Sequence, residues 1–148
     1  MTDREPVTVL EFSDDIHTKD VDPLREFLHE RLAELVARQA PGTEAAWAAE
    51  RLLKSTDWQS LFLSDLANMW SIEVHAGRAH RAGLTQRLRQ DLLAWWNELC
   101  RTAEQFADHP DHLPRWRPLK YLCVEHAEIA EQLTEGFSSG TYEHGAHP

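Results

Sequence analysis

The sequence predicts an all-α fold: an antiparallel bundle of four to five helices with an extended N-terminal arm and a disordered C-terminal tail. Three observations lead there. Apolar residues recur at helical spacing along most of the chain, prolines and glycines gather at a few points that divide it, and a single short segment has the β-branched character of a strand. With 148 residues, 42% of them hydrophobic and 27% charged, the chain is long enough for one domain with a sizeable core. Residues 1–21 read as the arm, 22–136 as the helical domain and 137–148 as the tail.

In the arm, Val7-Thr8-Val9-Leu10-Glu11-Phe12 is the strand-like segment. Nothing later in the sequence resembles a second strand. Its backbone N–H and C=O groups need partners, so it is expected to lie as an arm across the helices, with pairing to another copy or a partner as the alternative. Asp22-Pro23 reads as a helix start, an N-cap followed by proline at the first helical position. Leu24, Phe27, Leu28, Leu32, Leu35 and Val36 then share one face, and Ala40-Pro41-Gly42 closes the helix.

Thr43 is placed to cap the next helix, which carries Trp47, Leu52, Leu53 and several alanines. Ser55-Thr56-Asp57 offers a break, although the helix could run through it. From Trp58 to Val74 the chain is apolar nearly all round, as suits the middle of a bundle or an oligomer interface. His75-Ala76-Gly77 and Gly83 flank a weak stretch. A further helix follows, with Leu84, Leu88, Leu92, Trp95, Leu99 and Phe106 along one stripe. Pro110 and Pro114 make 108–114 a loop. Pro118 is expected to open the last helix, with Leu119, Leu122, Cys123, His126, Ile129, Ala130 and Leu133 facing inward and Gly136 as its C-cap.

The net charge is −10, which argues against non-specific binding to nucleic acid or to an anionic membrane. The charge is uneven: residues 1–22 carry seven acids and two bases (−5), 78–120 carry five acids and eight bases (+3), and 121–148 carry five acids and no base (−5). The basic third region is therefore expected to dock on the acidic ends. Arg78, Arg81, Arg87 and Arg89 are its densest part and form a candidate anion site. No apolar run is long enough to span a bilayer, and the acidic segment Met1–Asp15 lacks the pattern of a secretory leader. The expected compartment is the cytoplasm, where Cys100 and Cys123 are expected to be free thiols. The bias towards arginine (twelve, against three lysines) suits a high-GC genome.

The candidate metal ligands are His109-x-x-His112 and Cys123-x-x-His126, four N/S donors at spacings that tetrahedral zinc accepts. The competing reading is a proline-shaped loop followed by core residues, with no cofactor. Glu26-x-x-His29 has half the pattern of a bundle di-iron site, but without a second copy it reads as a solvated helix face. His75 and His80 point to different faces. No serine elbow, glycine-rich phosphate loop or Walker sequence occurs, and Cys100 lies on an apolar stripe, so no catalytic set is expected.

Trp47, Trp58, Trp70, Trp95, Trp96 and Trp116 remain. Trp95 and Trp96 project ~100° apart and cannot both face one core. Trp116 stands between arginines in Arg115-Trp116-Arg117. Tryptophan and arginine concentrate at binding hot spots, so the partner-binding set is expected among Trp95, Trp96, Trp116, Arg115 and Arg117, with four of the six tryptophans in the core and two at an interface.

The segment 106–118, from Phe106-Ala107-Asp108-His109-Pro110 to Arg115-Trp116-Arg117-Pro118, resembles the closing motif Ala-Asp-His-Pro-x-Tyr-x-x-x-Trp of a family of small actinobacterial and actinophage proteins. The start of the first helix, Leu24 to Leu32, is also similar. Here His112 stands where that family has tyrosine, the paired cysteines of the family are absent, and a further helix follows. The family has no assigned function, so the resemblance implies none. The expected function is a helical interaction or regulatory domain, working on a protein partner or on a second copy. A zinc protein and an acidic phage-type inhibitor that mimics nucleic acid are the alternatives.

Overall fold

The computed structural model describes residues 10–78 and 84–138. Among the described residues the fold is all-α, with a short 3-10 turn, Ser13–Asp15, ahead of four helices: α1 (Thr18–Ala37), α2 (Glu44–His75), α3 (Leu84–Glu104) and α4 (Val124–Ser138). Helices α1, α2 and α3 form the bundle, with α2 packed between the other two. Val21, Leu24, Phe27 and Leu28 of α1 meet Leu63, Leu66, Ala67 and Trp70 of α2 and Leu88, Leu92, Trp96, Leu99 and Ala103 of α3 in one core. No described helix is long and apolar enough to cross a membrane.

Several boundaries differ from the sequence expectation. Helix α1 begins at Thr18, one turn before Asp22-Pro23. Asp20 takes the capping role instead: its Oδ2 accepts the His17 N–H at 3.0 Å. Pro23 lies inside the helix, where the N–H it lacks leaves the Lys19 carbonyl without its i+4 donor. Ser55-Thr56-Asp57 does not interrupt α2, and Ser60 Oγ donates back to the Thr56 carbonyl at 2.6 Å within the continuous helix. Thr43 caps α2 as expected, accepting the Ala46 N–H at 3.1 Å. The far end of α2 closes in a Schellman turn on Gly77 (φ +73°), with Arg78 N–H bonded to Glu73 O at 2.9 Å and Gly77 N–H to Val74 O at 3.1 Å.

The last helix starts at Val124, well after Pro118. Residues 117–122 instead form a strap along α3, and Asn97 is the reason. This buried amide donates to Leu119 O at 2.9 Å and accepts Leu119 N–H at 2.6 Å, which holds the strap extended. Trp96 Nε1 donates to Arg117 O at 3.1 Å beside it. The strap is also the partner of the arm. Phe12 bridges Tyr121 in parallel, Ser13 N–H reaches Tyr121 O at 3.3 Å, and Ser13 Oγ donates to Leu122 O at 2.7 Å. The strand-like segment therefore meets the strap at Phe12, while Val7–Val9 lie outside the described residues. Helix α4 runs past Gly136 to Ser138, and the expected tail from 139 onward lies outside the described residues. Leu119 and Leu122 are buried, but Ile129 and Leu133 are exposed (57% and 60%), so the inward face expected for α4 is not packed on the bundle.

Candidate interaction surface

Of the expected partner-binding set, Trp96 and Trp116 are taken up by the fold. Trp96 is fully buried in α3, and Trp116 is 4% exposed. Phe27 (ring centroids 4.9 Å) and His112 (5.5 Å) lie against Trp116. Arg117 is exposed, but it meets Trp96 through its backbone carbonyl, and the Nε of Arg115 is buried without a partner. Trp95 is half-buried edge-on to Phe62 at 5.5 Å. Trp95 and Trp96 do split between two environments as their adjacency requires. The split falls inside the bundle, however, because the strap covers the far side of α3.

The four candidate metal ligands are not brought together, and among the described residues no three His, Cys, Asp or Glu side chains form a group that could hold a metal ion. Each ligand has other work. His109 Nδ1 accepts the Asp111 N–H at 3.0 Å, and its ring lies against the Arg31 guanidinium, a cation that would repel a second one. His112 packs edge-on to Phe27 and Trp116. His126 Nδ1 accepts the Leu122 N–H at 3.0 Å ahead of α4. Beside Cys123, the carboxyl of Glu125 is held below its ordinary value by its own backbone N–H and by the Cys123 thiol. Cys100 is a free thiol in the core, and burial pushes its pKa up, the reverse of a nucleophile.

The candidate anion site is also dissolved into ion pairs, and Arg81 lies outside the described residues. Arg78 bonds Glu73 at 2.8 and 3.1 Å, and that hydrogen bond and charge raise its pKa. Arg87 faces Asp91 at 3.7 Å. Arg89 donates two bonds to Asp14 at 2.7 and 3.2 Å and covers the Trp70 ring at 4.8 Å. Burial works against the Arg89 charge, but the bond and charge of Asp14 outweigh it and raise the pKa. This pair joins the acidic N-terminal region to the basic third helix, as the charge distribution led one to expect. Glu26-x-x-His29 stays on an exposed face, with His29 bonded to Asp57 at 3.0 Å.

The aromatic surface lies elsewhere, on α2. Trp58 is 73% exposed and Trp47 is 66% exposed. Leu61, Phe62, Met69 and Ile72 are exposed with them. At 100° per residue these six positions fall within roughly 100° of one another, on the side of α2 opposite Leu63, Ala67 and Trp70. The all-round apolar character of 58–74 thus has two causes: one face fills the core and the other meets solvent. A stripe of this size, rimmed by charge, is the usual mark of a contact surface. The sequence leaves 58–74 open between the middle of the bundle and an oligomer interface, and it points to Trp95, Trp96 and Trp116 as the contact residues instead. The signal was available, since an apolar stripe wider than a core-facing one must leave part outside unless a second layer covers it.

Comparison of the chain with family models, with curated proteins and with solved structures finds no match.

Proposed function

We propose that the protein is a small helical interaction domain whose contact surface is the outer face of α2. The observation that carries this reading is the exposure of Trp47 and Trp58 in line with Leu61, Phe62, Met69 and Ile72 on one side of a helix whose other side is core. Exposed tryptophan is costly in water and valuable in contact. Two large rigid side chains lose little conformational freedom on binding, and they are the residue type most enriched at hot spots. The buried thiol of Cys100 is held protonated by desolvation, the opposite of an activated nucleophile.

A photoreactive residue placed at position 58 in the full chain, with a second placed at Arg38 as control, tests the reading in producing cells. A discrete cross-linked species from position 58, absent from position 38, is the expected result. Equal, diffuse labelling from both sites would contradict an interaction face on α2.

A further inference from the structure

We infer that the occupant of the α2 face is the same face of a second copy, in an antiparallel two-fold pairing centred between Gln59 and Ser60. The inference rests on the reading of α2 as a contact surface and names its partner. It comes from the order of residues along the exposed stripe. Trp47, Arg51, Lys54, Trp58, Leu61, Asp65, Met69 and Ile72 follow one another at steps of three and four, and all eight are exposed. Reversing the helix about the midpoint brings Trp58 level with Leu61 of the second copy, Lys54 with Asp65, and Trp47 with Ile72. Each match then occurs twice, as an isologous interface requires.

Charge makes this arrangement selective. Arg51, Lys54 and Asp65 have no hydrogen bond or ion pair within the described chain, unlike the neighbouring Arg78, Arg87 and Arg89. The antiparallel register gives Lys54 and Asp65 to each other across the two-fold axis. A parallel register would set Lys54 against Lys54 and Asp65 against Asp65, so the same residues disfavour it. The ends of the stripe are apolar and its interruptions are of opposite sign, which is the pattern of a self-complementary seam.

The area is sufficient. Scaling full side-chain areas by the exposures of the six apolar residues leaves on the order of 700 Å² per copy, close to the ~800 Å² per partner of a standard interface. Helix α2 is 32 residues long, so the seam from Trp47 to Ile72 lies within one unbroken helix, about 38 Å from end to end. It needs no rearrangement of the bundle, because the core face of α2 points the other way.

Sedimentation of the full chain over a concentration series tests the pairing, with circular dichroism confirming unchanged helix content in each variant. The wild type is expected at twice the chain mass, and Trp58→Glu at the mass of one chain. Lys54→Glu or Asp65→Lys alone should weaken association about tenfold, because each puts two like-charged pairs into the seam. The exchange variant carrying both substitutions restores opposite charges and should return to within about threefold of wild type. A chain monomeric to about 0.5 mM overturns the proposal, as does an exchange variant no tighter than the single variants. So does association that survives Trp58→Glu but is lost in Ile129→Glu/Leu133→Glu, which would assign it to the exposed face of α4. A monomer whose position 58 still cross-links to a different protein sinks the self-pairing and leaves the α2 contact surface standing; a monomer with no cross-link sinks both.

Discussion

Asn97→Ala is the substitution that most sharply probes how the strap is held. The Asn97 side chain is 9% exposed and makes two bonds to one residue, donating to Leu119 O at 2.9 Å and accepting Leu119 N–H at 2.6 Å. Alanine removes both and leaves a buried backbone donor and acceptor without partners. Two such losses, each worth about 1 kcal/mol as a bond and somewhat more as an unsatisfied group, amount to about 2–4 kcal/mol. That is a large share of the ~5–15 kcal/mol that holds a domain together. Urea unfolding should show the midpoint falling with the slope unchanged. The damage should spread along a defined path, because the strap also receives Trp96 Nε1 at Arg117 O and Ser13 at Tyr121 and Leu122. Amide exchange at Ser13, Asp14 and Leu119 is therefore expected to accelerate more than exchange at Leu63 or Ala67. A loss below ~0.5 kcal/mol with exchange at Ser13 unchanged would refute the claim that Asn97 anchors strap and arm together.

Thr43→Ala removes the α2 cap and should cost about 1 kcal/mol in the same unfolding assay, with Thr43→Ser close to neutral. Arg89→Ala strips the Asp14 pair and the cover on Trp70, so the Trp70 ring should become accessible to an acrylamide quencher, with Arg89→Lys recovering only part of the protection. The Cys100 thiol has its pKa raised in the folded state, so the unfolded chain loses that proton first as pH rises. Stability should be intact below the ordinary thiol range and decline as pH climbs through it, and Cys100→Ala should flatten that decline; in native protein at pH 8 a thiol reagent should label Cys123 well before Cys100. Trp58→Glu should change stability by no more than about 0.5 kcal/mol in the same unfolding assay, because the side chain is 73% exposed.

The parts of the fold legible in the sequence were those set by local chemistry. The 3.6-residue spacing of Leu24, Phe27 and Leu28, the Thr43 cap, the Gly77 end of α2 and the proline-broken loop at 108–114 all follow from residues within a turn or two of one another. The start of α1 was misread because Asp20, an N3 acid, competes with Asp22-Pro23 as the initiating signal, and the capping bond to His17 decides between them. The strap was misread for a different reason. Pro118 can open a helix, but Asn97, about twenty residues earlier, binds both polar groups of Leu119, and no local pattern reveals such a contact.

The same distinction runs through the functional residues. His109, Pro110, His112 and Trp116 stand out as a motif, and His109, His112 and Trp116 do gather on Phe27, with His109 also against Arg31, but as packing. Trp116 suits a contact surface in the sequence because arginines flank it, yet its ring turns inward. Conversely, Trp47 and Trp58 have apolar neighbours, which in the sequence suit a core position as well as an interface. Periodicity locates a stripe on a helix but not the number of layers around it, and in this chain α4 does not supply the layer that would have covered α2.

The six tryptophans give the account its most direct measurement, since each contributes one indole N–H signal to a proton–nitrogen correlation spectrum. As protein concentration is raised, the Trp47 and Trp58 signals are expected to shift or broaden together while those of Trp70, Trp96 and Trp116 stay fixed. Movement of the Trp96 and Trp116 signals with Trp47 and Trp58 unchanged would contradict a contact surface on α2 and return it to the C-terminal third of the chain.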